Sequence, residues 1–194
     1  MVQTRPLICH PAAANASALA SKIGVSAAIE IGPNALTLTY QINADRKHIA
    51  FPKACANARE TPFNSAKLRR DDLWKTTCFE AFLAPSDTPA YYEINCAPSG
   101  HWAAYRFSSY RQGQSQADID LAAPVDVAVY NNHITLHAVL RMPFELDEVR
   151  IGLSAVVEER AGPLSYWALH HPKSTPDFHD PEGFCLPIAE AKAL

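Results

Sequence analysis

The sequence predicts an all-β protein, an antiparallel β-sandwich of the jelly-roll kind with at most one or two short helices. Three observations predict it. Apolar residues recur with period two in several separate runs. The 15 prolines and seven glycines are spread from end to end and punctuate those runs. Only Ala12–Lys22 and a turn at Glu145-Leu146-Asp147 suit a helix.

Each strand follows from its pattern. Val25–Ile31 is the first. From Ala35 to Ile42 the chain alternates strictly, with Leu36, Leu38, Tyr40 and Ile42 on one face and Thr37, Thr39 and Gln41 on the other. Thr76–Leu83, Tyr91–Cys96 and Trp102–Phe107 follow, the last two joined by a hairpin turning at Pro98-Ser99-Gly100. Val125, Val127 and Val129 alternate again. They lead through Asn131-Asn132, suited to a tight turn because Asn tolerates positive φ, into Ile134, Leu136, Ala138 and Leu140. A last hairpin pairs Val149–Glu159 with Leu164–His170 across Ala161-Gly162-Pro163. Lys53–Arg70 reads as a long loop over one end of the sandwich.

Length and composition set the outer limits. A chain of 194 residues suits one domain spanning 1–194, and 48% apolar residues can fill its core. A net charge of −3 gives no electrostatic reason to expect nucleic acid, and Lys67-Leu68-Arg69-Arg70 reads as a solvated loop. No apolar run reaches the ~18–20 residues of a membrane span. Met1–Ala20 lacks the apolar core of a secretory signal, so a cytoplasmic protein is expected. The five cysteines show no CxxC spacing. Cys78 and Cys96 read as small buried apolar residues; a bridge between them is conceivable, but a cytoplasm would reduce it.

Candidate functional residues cluster in three blocks that mix aromatic rings with hydrogen-bonding groups. In the first, strand parity aligns Trp74, Thr76, Cys78, Glu80 and Phe82, and sends Phe79, Ala81 and Leu83 to the core. Glu80 is then a carboxyl group inside an apolar strand, where it needs a cation, several donors or a ligand. In the second, Tyr91, Glu93 and Asn95 share one face, and Trp102 and Arg106 share a parity on the returning strand. The third holds Tyr166, Trp167, His170, His171, Asp177, Phe178, His179 and Asp180. Tyr105, Tyr110 and Arg111 read as rim or packing residues.

These blocks are LWKTTCFEAFLAP, YYEINCAPSGHWAAYRF, VRIGLSAVVEE, LSYWALHHP and PDFHDPEGF, covering most of the chain from Leu73 to Phe184. They resemble the family-9 carbohydrate-binding modules and their DOMON-like relatives, which are β-sandwiches, and most closely a bacterial DOMON-like branch. The resemblance implies a non-catalytic domain in which two Trp rings sandwich a terminal sugar and polar side chains hold its hydroxyls. Carried over by position, Trp74 is the first Trp, Glu80 the carboxylate six residues later and Trp167 the second Trp. Arg106 is the basic hydroxyl-binding residue, and Asn95 completes the polar floor. The sequence departs from secreted modules at Thr76-Thr77, where they often carry an acidic residue, and their calcium sites are not recognisable. The chemistry fits, because flat sugar C–H faces stack on rings while planar Glu, Asn and Arg groups bond directionally to hydroxyls.

Other readings compete. Trp74 and Trp167 fit the sandwich interior equally well, and Glu80 fits an ion pair with Arg106 or Lys75. DOMON relatives also suggest a haem or redox-cofactor domain, for which Met142 with His170 or His179 supplies the axial ligands. His171, Asp177 and His179 converge on one divalent metal if the chain kinks before Pro172, which would suit a metal-dependent enzyme. No GxSxG elbow, P-loop or GxGxxG is present.

Overall fold

The computed structural model describes residues 4–17, 19–32, 34–55, 61–142 and 148–187. Thirteen strands lie among them. In chain order they are β1 (Arg5–Cys9), β2 (Gly24–Ile31), β3 (Ala35–Asn43), β4 (Cys78–Pro85), β5 (Tyr91–Cys96), β6 (Trp102–Phe107) and β7 (Ser115–Gln116). β8 (Asp120–Leu121), β9 (Asp126–Val129), β10 (His133–Arg141), β11 (Val149–Glu158), β12 (Leu164–Ala168) and β13 (Leu186–Pro187) complete the set. Every pairing is antiparallel, in the order β7-β6-β5-β4-β11-β12-β1-β2-β3-β10-β8, with β13 on β11 and β9 on β10. One continuous sheet thus curls into two facing halves, the sandwich-like all-β arrangement expected.

β1 is the joint. It pairs with β12 through Ile8 and Cys9 and with β2 through Arg5, Pro6 and Leu7, so the chain's first strand stitches the halves together. Proline is tolerated there because the strand changes partner along its length. Between the halves lies the core. Leu36, Leu38, Tyr40 and Ile42 of β3 are fully buried and meet Phe79, Ala81 and Leu83 of β4. The Tyr40 and Phe79 rings lie 4.9 Å apart, and the Tyr40 hydroxyl donates to the Glu80 carbonyl at 2.5 Å. A phenol buried without such an acceptor would cost about 1–3 kcal/mol.

The three predicted hairpins form in register, Cys96 opposite Trp102, Ile134 opposite Val129 and Ala155 opposite Trp167. The helix expected over Ala12–Lys22 is instead a six-residue helix, α1 (Pro11–Ala16), and a separate 3-10 turn at Ala20–Lys22. Ser17 breaks it, because its extended backbone lets the hydroxyl accept from the Leu19 amide and donate to Glu159. Glu145-Leu146-Asp147 lies outside the described residues. The Lys53–Arg70 segment is more than a loop: a 3-10 turn at Ser65–Leu68 caps Trp102, whose indole N–H donates to the Ser65 carbonyl at 3.0 Å. Cys78 and Cys96 are buried free thiols on opposite faces, since Cys96 is in register with Phe79. No bridge between them is possible in this geometry. No helix among the described residues is long and apolar enough to cross a membrane.

Candidate functional site

The outward face of β4, β5, β6, β11 and β12 carries a second set of side chains. Register places Asn95, Glu80 and Ser154 in one row across β5, β4 and β11. The next row runs Tyr105, Glu93, Phe82 and Gly152. On the other side of the polar row, Cys78, Val156 and Tyr166 align. Polar groups therefore form a band between aromatic ones.

Three segments wall this face. One is the 71–75 stretch, ending in a 3-10 turn at Leu73–Lys75; the second is the loop holding Tyr110 and Arg111; the third is the 176–184 segment, with Phe178, His179 and Phe184. They enclose a cleft of about 800 Å³ whose boundary includes Trp74, Glu80, Glu93, Tyr105, Arg111 and His179. That is the size and mixed character of a small-molecule site.

Glu80 lies at the floor, 3% exposed, and its Oε1 has no hydrogen-bond partner in the protein. Asn95 Oδ1 and Ser154 Oγ, its row neighbours, are buried and unpartnered as well. Glu93 is held more fully: its Oε1 accepts from Asn95 Nδ2 at 2.7 Å, and its Oε2 lies 3.8 Å from His179 Nε2. Burial raises the pKa of both carboxyl groups above the ordinary value, Glu80 strongly, and Glu93's nearby charge adds to the rise at Glu80. Arg111 opposes the rise at both.

A relay of polar contacts fixes the wall. The Arg111 amide donates to the Tyr91 hydroxyl at 3.1 Å, and that hydroxyl lies 2.8 Å from His179 Nδ1. The other ring nitrogen, Nε2, faces Glu93. His179 and Glu93 are not an ion pair at neutral pH, because burial and the Arg111 guanidinium hold the imidazole down to about 4. Arg111 adopts a left-handed backbone, φ 55°, and its guanidinium donates to Asp177 at 2.8 Å. Lys173 joins Asp177 at 2.7 Å and Asp180 at 2.9 Å.

Sequence-predicted residues divide accordingly. Trp74 is half exposed at the rim and Glu80 lines the floor, while Asn95, in the same sheet row, is buried and not part of the cleft lining. Trp167 is not at the cleft. It is 5% exposed, packs in the core between the halves and donates its indole N–H to Ser165 Oγ at 2.9 Å. Arg106 is exposed opposite Tyr92, on the other face of β6 from Tyr105, so neither the sugar contact nor an ion pair with Glu80 forms. Lys75 pairs with Asp72 at 2.8 Å.

His171, Asp177 and His179 do not converge. His171 Nε2 bonds the Ile8 carbonyl at 2.9 Å, Asp177 is taken by Arg111 and Lys173, and His179 by Tyr91. No group of three or more His, Cys, Asp or Glu suited to a metal exists among the described residues. Met142 is buried in the core between the halves, His170 is exposed, and His179 lies on the outer face, so the sheet separates the thioether from His179.

Tyr105, Tyr166, Phe178 and Arg111 enter the site beyond the residues singled out for it. Parity would have found Tyr105, which sits opposite Glu93. No periodicity marks Arg111, which a turn delivers.

No protein-family model matches the sequence, and no curated protein matches it. Solved structures do match in fold. A protein from Bacteroides uniformis, provisionally named carbohydrate-binding, is 13% identical over 95% of this chain and 84% of its own, with a TM-score of 0.61. A family-9 carbohydrate-binding module from Caldicellulosiruptor kristjanssonii, solved with glucose, is 13% identical over 76% of this chain and 67% of its own, with a TM-score of 0.41.

Proposed function

We propose that the cleft binds a small carbohydrate-like ligand and breaks no bond in it. One observation carries the reading: an exposed indole, Trp74, stands at the rim of a cleft whose floor is formed in part by Glu80, a buried carboxyl group with unfilled hydrogen-bonding capacity. Such a group costs about 1–3 kcal/mol unless something bonds it. A sugar matches both features, with C–H faces for Trp74, Tyr105 and Tyr166 and hydroxyls for Glu80 and Arg111. Burial favours the protonated form of Glu80, which can donate as well as accept, and that suits hydroxyls that do both. The fold shared with the Bacteroides protein, and that protein's provisional name, support the reading.

The test is a thermal-shift screen of mono- and disaccharides on the protein and on Trp74→Ala. A ligand bound only to the folded state raises the melting temperature. The expected result is a rise with one or more sugars that Trp74→Ala loses. A panel without effect, or an equal response from Trp74→Ala, overturns the reading.

A further inference from the structure

The cleft is rich in carboxyl groups and poor in available cations. Asp71, Asp72, Glu80 and Glu93 border it, against one guanidinium, Arg111. Arg111 is committed to Asp177, and Asp72 to Lys75, each at 2.8 Å. Asp71 accepts the Tyr105 hydroxyl at 2.5 Å, a neutral donor. His179, the basic group nearest Glu93, is uncharged at neutral pH. Among the described residues, no cation is bonded to Asp71, Glu80 or Glu93.

Resting on the sugar-binding reading above, we infer that the cleft selects an amino sugar bearing a free ammonium group over neutral and acidic sugars. Two buried carboxyl groups on one sheet face repel each other when both ionise, and an ammonium between them supplies the missing countercharge. Its three N–H donors match Glu80 Oε1, an acceptor that the protein leaves open, and the Glu93 carboxyl group that lines the cleft beside it. Ring faces add attraction for a cation. At the rim, Lys75 Nζ lies 5.6 Å from the Trp74 ring centre. A uronic acid would bring one more carboxyl group beside the four, and no ammonium.

Isothermal titration at neutral pH and low salt compares D-glucosamine, D-galactosamine and D-mannosamine with their neutral parents, their N-acetyl derivatives and the matching uronates. At least one amino sugar binds about tenfold or more tighter than its parent, and N-acetylation removes the gain. Glu80→Gln narrows the ratio of amino-sugar to parent affinity, whatever it does to the parent's own binding; Glu93→Gln replaces it if that variant fails to fold. Equal affinity for amino sugar and parent, a tighter uronate, or a ratio undiminished in both Gln variants overturns cation selection while sugar binding stands. Binding of no sugar at all overturns both.

Discussion

Glu80 and Asn95 are directly opposed on β4 and β5, and each holds one buried oxygen with no hydrogen-bond partner in the protein. Ser154 faces Glu80 from β11 with its hydroxyl in the same condition. The rows beyond it are built differently, for Phe82 stacks on Phe184 at 5.4 Å and Tyr91 on Phe107 at 4.8 Å. A sheet face that packs rings so closely beside an unsatisfied polar row gives up stability at that row. A recognition site is where such a cost is expected.

The protonation of Glu80 makes stability depend on pH. Its folded pKa is raised, so the folded state binds more protons than the unfolded state above the ordinary carboxyl range, and stability falls as pH rises through the folded value. Glu93 acts with the same sign. Glu80→Gln should therefore gain on the parent protein as pH rises above the ordinary carboxyl range. Urea midpoints across that range measure it, and a variant that loses ground at alkaline pH contradicts the assignment.

His179 acts on the acid side with the opposite sign. Its folded pKa is depressed from 6.5 to about 4, so it contributes stability above 6.5 that is lost as pH falls towards about 4. Histidine-resolved NMR titration should find one imidazole neutral down to about pH 4. Titration of every histidine near 6.5 would refute this.

The two candidate tryptophans should respond oppositely. Trp74→Ala removes an exposed ring and should change stability by only about 0.5 kcal/mol. Trp167→Ala opens the core and should cost about 3–5 kcal/mol. Chemical denaturation of the two variants separates them, and comparable losses would contradict the placement of either ring.

Gly152 links packing to the cleft wall. A Cβ there would meet the Phe184 ring at 2.6 Å and Phe82 Cβ at 3.4 Å. Gly152→Ala should displace Phe184, cost about 1–3 kcal/mol and weaken sugar binding by loosening the 176–184 wall. Unchanged stability and affinity would show that the ring gives way freely.

The strands were legible wherever one face is packed and the other wet. β3 alternates without a fault, Leu36, Leu38, Tyr40 and Ile42 buried and Thr39 exposed. β4 is buried on both faces, inward on the core and outward under the aromatic wall, so its hydrophobicity is continuous and only parity revealed the face of Glu80. Parity failed where it crossed a turn. Trp74 precedes the strand, in a 3-10 turn, and owes its place at the cleft to that turn. On β12, inward and outward positions both carry an aromatic ring, so sequence could not choose between Tyr166 at the cleft and Trp167 in the core. β1 was invisible, because its five residues interrupt their pattern with Pro6 while switching partners. Arg111 and His179 arrive on segments whose course depends on tertiary contacts with Tyr91 and Asp177.

The most direct measurement follows the three indole N–H resonances of nitrogen-15-labelled protein during titration with the sugar giving the largest thermal shift. Trp102 and Trp167 have their N–H groups bonded inside the protein, whereas Trp74 is exposed at the rim. The expected result is a saturable shift of the Trp74 resonance with the other two nearly stationary, and its absence in Glu80→Ala. A response confined to Trp102 or Trp167, or no response at a concentration that shifts the melting temperature, would place the sugar elsewhere and contradict the cleft over Glu80.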